Sequence, residues 1–417
     1  MKPRSAGGSG PTPGVEAGWQ GPSRGSSAIR HHPERSRLIS LRPPFGLPWS
    51  GLLAAALLAA PPAEARPPHE ATGLRPTAIP LLSFSSDDGA GYGLRASLFE
   101  YDGRTVPYRR KYSAQLFYTS RGRRVHFLSM DTPRFRGGDR LEMTLRFEKE
   151  ASANYYGSLT DAEASRLARD RKTFRYALPS IELRWIRPLG TPRPAPAPWG
   201  LGLGARLSHT GITPNAEVGN VLAEAAPPGI DGGFLGQVNA ALRYDTRDDY
   251  NDTSTGLLEE LLLEYGIGHG GDYHGLTARF EHRHFASPLA GLVAAHRLAL
   301  DWTAGNLPFY EWPEVGGGDT LRGLVRGRDR GRGRVLLNGE LRWRGMRLSA
   351  RQSMHLGAVA FADAGRILGG GALAAPGRWR HGLGLGLRGR WQSTVARADW
   401  GRAGGAAGLY LTFAHMF

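Results

Sequence analysis

The stretch Val315-Gly316-Gly317-Gly318-Asp319-Thr320-Leu321-Arg322-Gly323-Leu324 puts one arginine just beyond three consecutive glycines. It lies in a gap, from Ala304 to Gly331, that is too rich in Gly and Arg to be a strand. The glycines allow φ > 0 and a tight fold-back, so that Leu321 to Leu324 can be aimed at one target. An arginine so placed offers ion pairing rather than bond making. Either it is solvated on a basic loop, or it meets a carboxylate in a cavity, where a bidentate guanidinium–carboxylate pair pins the loop.

No other grouping carries catalysis or a metal. Glu281, His282 and His284 lie together, but on a strand Glu281 faces away from both histidines, so the three do not converge. No nucleophile motif accompanies them. The run Arg322 to Arg334, with repeated Arg-Gly, has the composition of a nucleic-acid-binding segment but lacks interleaved aromatics. We expect no catalytic residue, no metal, no cofactor and no nucleic acid, and a chain that is not an enzyme.

The elements that position Arg322 follow from the rest of the chain. The 417 residues include 59 glycines and no cysteine, with 41% hydrophobic residues and a mean hydropathy of −0.35. This excludes disulfide scaffolds, thiolate chemistry and a helical membrane protein. Residues 1–65 read as a disordered leader plus signal peptide. An apolar h-region at about 47–60 is preceded by Arg35, Arg37 and Arg42 and followed by Ala63-Glu64-Ala65, giving cleavage after Ala65. Net charge is +16. A basic exported chain favours anionic surfaces such as outer-membrane lipid and lipopolysaccharide.

Beyond Ala65 one pattern recurs: segments of about ten residues with alternating character, separated by Gly, Asp, Asn or Pro, as a transmembrane β-barrel requires. Strands are expected near 77–86, 90–101, 110–119, 123–131, 138–149, 174–187, 199–209, 231–245, 255–266, 273–284, 292–303, 332–344, 354–364, 380–389, 393–400 and 407–417. The fold class is therefore all-β, an antiparallel transmembrane barrel of sixteen strands over 77–417, after a short periplasmic segment at 66–76. The longest gaps, about 150–173, 210–230 and 304–331, all fall on one end. Asn338, Glu340, Arg342 and Arg344 share one parity and Leu337, Leu341 and Trp343 the other. Phe361 and Asp363 oppose Ala360 and Ala362. Glu340 and Asp363 thus both face the lumen if the polar face does. Trp185, Trp302, Trp343, Trp379, Trp391 and Trp400 suit interfacial girdles. The last strand places Leu409, Leu411, Phe413, His415 and Phe417 on one face, and Phe413 with Phe417 reads as a barrel C-terminal assembly signal.

Four stretches carry a family resemblance. They are Tyr244-Asp245-Thr246-Arg247-Asp248 with Asn251 and Gly256, Gly317-Gly318 with Leu321-Arg322-Gly323-Leu324, Asn338-Gly339-Glu340, and Phe361-Ala362-Asp363-Ala364-Gly365. With them the chain resembles the BamA/TamA-type outer-membrane assembly and translocation superfamily, also called the bacterial surface antigen family. In that likeness they match the turn between strands eight and nine, the inward-folded sixth extracellular loop, and the lumen-facing strands twelve and thirteen. The resemblance implies that Arg322 reaches into the barrel and pairs with Asp363, Glu340 or both, as a latch. It places the protein in the bacterial outer membrane, inserted there by barrel-assembly machinery, with unfolded or secreted polypeptides as substrates to insert or translocate. In a wet lumen such a pair would add little stability. Leu324 stands where the family usually has an aromatic, which implies looser docking. Residues 66–76 leave no room for the family's periplasmic POTRA domains. Pro80 in the first strand and the glycines before the last permit a labile seam. The alternative is a solute or anion-selective pore, favoured by the lumen-parity arginines Arg342, Arg344, Arg388 and Arg390.

Overall fold

The computed structural model describes residues 72–417 apart from 106, 191–196, 270–272, 350–353, 370–376 and 392–393. The leader, the h-region and the cleavage site lie outside the described residues. The sheet is a closed antiparallel barrel in which each strand pairs with its chain neighbours and the last returns to the first. The first eight strands are β1 Thr72–Ser85, β2 Gly89–Asp102, β3 Arg110–Thr119, β4 Arg124–Thr132, β5 Arg140–Asn154, β6 Thr173–Leu189, β7 Trp199–Pro214 and β8 Gly233–Asp245. The second eight are β9 Gly256–His269, β10 Tyr273–Leu289, β11 Leu292–Gly305, β12 Gly333–Ser349, β13 Met354–Leu368, β14 Arg380–Trp391, β15 Thr394–Ala403 and β16 Ala406–Phe413. The barrel thus has the sixteen strands that the alternation predicts.

Period-two patterning sets which face looks inward. On β12, Leu336, Asn338, Glu340 and Arg342 are buried, while Leu337, Leu341 and Trp343 are exposed. The same outward parity holds Leu261 and Leu263 on β9, Leu383 and Leu385 on β14, and Leu409 and Leu411 on β16. Such an apolar outer band over a polar interior is the pattern of a lipid-facing barrel. Trp302, Trp343, Trp379 and Trp400 are exposed among the outward residues, and the Trp185 indole donates to Asp139. The Trp391 side chain lies outside the described residues.

The three long loops, 155–172, 215–232 and 306–332, cluster at one end. We call them loops 3, 4 and 6, by their order there. They carry two short helices, α1 Asp161–Arg166 and α2 Val221–Ala225. Thr160 and Glu163 form a capping box at α1. Tyr155, Phe174, Leu222, Phe309, Tyr310 and Trp312 bury one another beneath these loops, giving the loop end of the barrel its own apolar core. The ends of β5 and β7 extend into this cap beyond their expected limits, because Asn154 pairs with Thr173 and Phe174 with Pro214.

Two further differences from expectation concern the first and last strands. The first strand begins at Thr72, taking residues 72–76 from the expected periplasmic segment, and it stays in register with β2 from Thr72–Asp102 to Ser85–Gly89. Pro76 conceals this in the sequence, since proline signals a break. The last strand ends at Phe413 rather than 417. Ala414 takes a left-handed φ of 68°, and the chain turns into the lumen. There His415 reaches Asp252 at 3.2 Å, and Phe417 packs on Phe285 and Ala295. Leu409, Leu411 and Phe413 keep the outward face; His415 and Phe417 leave it.

Closure is uneven. β1 meets β16 only at Phe84–Leu411 and Ser85–Tyr410, extended by Ser86 N–H to the Leu409 carbonyl at 3.0 Å. Backbone donors alternate sides along a strand, so Pro76 and Pro80 share the direction of Ser86 and face β16. Proline has no N–H. The edge that should close the barrel therefore lacks donors at two positions, and Thr72 to Ser83 have no β16 partner among the described residues.

Candidate functional site

Loop 6 descends into the barrel as a ribbon in which Glu314–Val315 pairs with Asp329–Arg330. Its tip is a tight hairpin. Gly316 N–H donates to Thr320 Oγ1 at 2.9 Å, and Gly317 N–H to the Leu324 carbonyl at 2.7 Å. Gly323 has φ +93°, and a Cβ there would sit 2.7 Å from the Arg402 backbone, so both conformation and space require glycine. Leu321, Leu324 and Val315 pack with Ile367 and Ala403.

This hairpin delivers Arg322 to three carboxylates. Nε and Nη2 donate to Asp363 Oδ2 and Oδ1 at 2.9 Å each, and the Arg322 backbone N–H adds a bond to Oδ2 at 3.1 Å. Nη1 donates to Glu340 Oε1 at 2.5 Å and to Asp399 Oδ2 at 3.0 Å. The guanidinium carbon stands 3.4 Å from the Phe361 ring centroid, a stacked cation–π contact. β12, β13 and β15 thus each supply one acid. Asn338 on β12 bonds Asp363 at 2.8 Å and the Thr320 carbonyl at 2.7 Å, fixing loop and acid together. Glu340 also accepts from Arg342 at 2.7 Å, and Asp399 from Arg388.

The side chains of Arg322, Glu340, Asp363 and Asp399 are 0% exposed. This corrects the expectation of a solvent-exposed and negligible ion pair. The cluster is shut off from solvent, and removing one member of a buried ionic cluster costs about 3–5 kcal/mol, because the others stay buried and uncompensated. Leu324 is 6% exposed, so its place in the apolar group seals the tip and the expected looser docking is absent. Phe361, already placed on the face of Asp363 by alternation, belongs to the site, and so do Asp399 and Tyr410, which the sequence did not single out. Tyr410 Oη accepts from Gly323 N–H at 3.1 Å. The available signal was parity: Asp399 is an acid at lumen parity on β15.

The other expected residues lie elsewhere. The β8–β9 turn lies at the opposite end of the barrel and is braced by its own side chains. Asp245 accepts from Arg247 Nε at 3.0 Å and Nη2 at 2.9 Å. Thr246 N–H bonds the Leu257 carbonyl at 2.9 Å, Asp248 accepts from Ser254 N–H at 2.9 Å, and Gly256 takes φ +103°. From this turn Asp252 also reaches Arg390 at 3.0 Å, and Arg344. All four arginines of the pore reading therefore meet a carboxylate: Arg342 at Glu340, Arg388 at Asp399, Arg344 and Arg390 at Asp252. Glu281 faces inward to Arg297 at 3.0 Å. His282 faces outward, 2.9 Å from Glu259 and 3.2 Å from His296.

Comparison with known proteins follows the same architecture. No match is found among curated proteins. Among solved structures the chain is similar to BamA from Haemophilus ducreyi lacking POTRA domains 1–3, with a TM-score of 0.58 at 12% identity, over 81% of this chain and 70% of that one. It is also similar to CdiB from Escherichia coli, with a TM-score of 0.56 at 12% identity over 81% of this chain and 62% of that one. For CdiB from Acinetobacter baumannii the TM-score is 0.50 at 14% identity, over 82% of this chain and 60% of that one. At these identities the likeness concerns the fold. The Omp85 superfamily domain matches residues 112–400, from β3 to β15 and through loop 6, and the chain belongs to the Omp85 superfamily of bacterial outer-membrane barrels.

Proposed function

We propose that this barrel inserts or translocates polypeptides at the outer membrane through the seam between β1 and β16, with Arg322 latching loop 6 in the lumen. The observation that carries this reading is the seam itself. Its pairing stops after two adjacent positions, and two prolines strip donors from the edge below. An edge with unpaired backbone groups is a template for another strand, which suits an unfolded or secreted polypeptide better than a solute. Outer-membrane lipid and lipopolysaccharide surround the apolar band, and barrel-assembly machinery inserts the chain itself. The pore reading draws less support, because loop 6 enters the lumen, where its Arg322 is buried against three strands, and the arginines proposed to select anions are bound to acids.

The test uses proteoliposomes of the mature chain and an unfolded outer-membrane barrel as substrate. The protein has no cysteine, so Phe84→Cys with Leu411→Cys, paired across the seam, locks it by a single engineered disulfide. Acceleration of substrate folding that disappears on oxidation and returns on reduction is the expected result. Equal acceleration in the locked and reduced states overturns the seam route. No acceleration, together with a large steady conductance in planar bilayers, moves the reading to a pore.

A further inference from the structure

The Arg-Gly run beyond Arg322 ties loop 6 to itself and to different parts of the barrel. Arg328 reaches Asp161 of α1 at 2.7 Å, Arg330 reaches Glu314, and Arg334 reaches Asp301 of β11 at 2.7 Å. Arg326 is different: it goes to the lip of the seam. Its backbone N–H donates to Asp87 Oδ1 at 2.9 Å, and its guanidinium grips Asp88 with Nη1 at 2.8 Å and Nη2 at 2.7 Å. Nη2 also meets Glu150. Asp87 and Asp88 form the turn between β1 and β2.

The other lip is held by the same loop. Tyr410 of β16 accepts from Gly323 N–H, and Asp399 of β15, the strand paired with β16, is bound by Arg322 at 3.0 Å. Gly323 and Arg326 are three residues apart, at most ~11 Å of extended chain. Both lips are therefore joined through one short segment, and the seam cannot widen far while both grips hold. The weaker part of this closure is the two-pair backbone contact; the stronger is the bidentate, charge-assisted grip of Arg326. The hairpin carries its own neighbours with it, since Arg123 of the β3–β4 turn also reaches Asp88, at 3.3 Å.

We propose that Arg326 is a positioning residue for the seam: it ties the β1–β2 hairpin to loop 6, and the seam opens when Arg326 leaves Asp88. This rests on the seam reading of function, but it concerns movement of the strands and can be measured without any substrate.

Nitroxide labels at Leu82→Cys and Leu411→Cys, on the outer face of the two lips, report seam width by dipolar coupling in liposomes. Folded barrels are selected by heat-modifiable migration. Wild type should give one short distance. Arg326→Gln should raise the widened fraction by at least about tenfold, as the loss of charge-assisted hydrogen bonds allows. Asp88→Asn reads the same tie from the hairpin side and should move the distribution the same way by less, and it decides the outcome if Arg326→Gln does not fold. Arg380→Gln frees loop 6 from a different wall, where Arg380 meets Asp329 at 2.9 Å, and should leave the seam unchanged. Distributions in Arg326→Gln and Asp88→Asn that match wild type overturn the proposal, as does equal widening in Arg380→Gln. Widening in Arg326→Gln with unchanged substrate insertion would keep the tie and reject the seam route of function.

Discussion

The wall formed by β12 and β13 and the seam formed by β1 and β16 are the same kind of joint built to opposite ends. Between β12 and β13 the backbone pairs from Gly333–Leu368 to Ser349–Met354, and the lumen side carries Glu340 and Asp363, buried under Arg322. Between β1 and β16 the pairing is confined to Phe84–Leu411 and Ser85–Tyr410, and Pro76 and Pro80 occupy the edge. Loop 6 anchors on the strong joint and reaches to the weak one. The difference teaches that closure of this barrel depends on one loop's side chains where backbone hydrogen bonds are missing.

The largest expected break in this contrast is Arg322→Ala. It leaves Glu340, Asp363 and Asp399 facing one another without their central cation, a loss of about 3–5 kcal/mol in loop docking. Protease cleavage within 306–332 should rise steeply; unchanged cleavage would mean that the cluster does not hold the loop. Gly323→Ala comes next, because a Cβ 2.7 Å from the Arg402 backbone at φ +93° strains the tip by about 1–3 kcal/mol. The same digestion should show partial release, and no change would place the conformational demand elsewhere. Tyr410→Phe removes one hydrogen bond between loop and seam, worth about 0.5–1.5 kcal/mol, and should slightly increase amide exchange at Gly323 while leaving Arg322 docked. Exchange equal to wild type would exclude Tyr410 as a contributor.

Acid sharpens the contrast at the loop end. Asp161 accepts from Arg380 at 2.7 Å and Arg328 at 2.7 Å, and these hydrogen bonds, Arg380 first, hold its carboxyl below the usual range. A depressed folded value means that the contact is fully present above the ordinary Asp value of about 4 and is lost only as pH falls below it. Labels on loop 3 and at Trp379, next to Arg380, should therefore keep one separation from pH 8 to about 4. Separation already complete at pH 6 would show that other groups control the cap.

Much of this was legible because a barrel strand has only two faces. Alternation of Asn338, Glu340 and Arg342 with Leu337, Leu341 and Trp343 placed β12 and its lumen acid, and the same reasoning placed Asp363. What escaped needed information that alternation does not hold. Arg326 and Asp88 are 238 residues apart, and only closure of the barrel brings the first hairpin beside loop 6. Asp399 had the right parity, but nothing local says that a loop tip reaches β15. The inward turn at Ala414 uses a left-handed alanine, which carries none of the signal that glycine would. Pro76 reads as an interruption until one sees that its missing N–H points to an edge with no acceptor opposite.

Amide hydrogen exchange along β1 and β13 tests the asymmetry most directly, in one folded sample in liposomes without substitution. The account predicts fast exchange at the non-proline amides of Leu74, Ala78 and Leu82, which point toward the unpartnered edge, and strong protection at Leu356 to Gly365 on the wall. Equal protection of the two strands would mean that the seam is as firmly closed as the wall, contradicting the claim that loop 6 keeps this barrel shut.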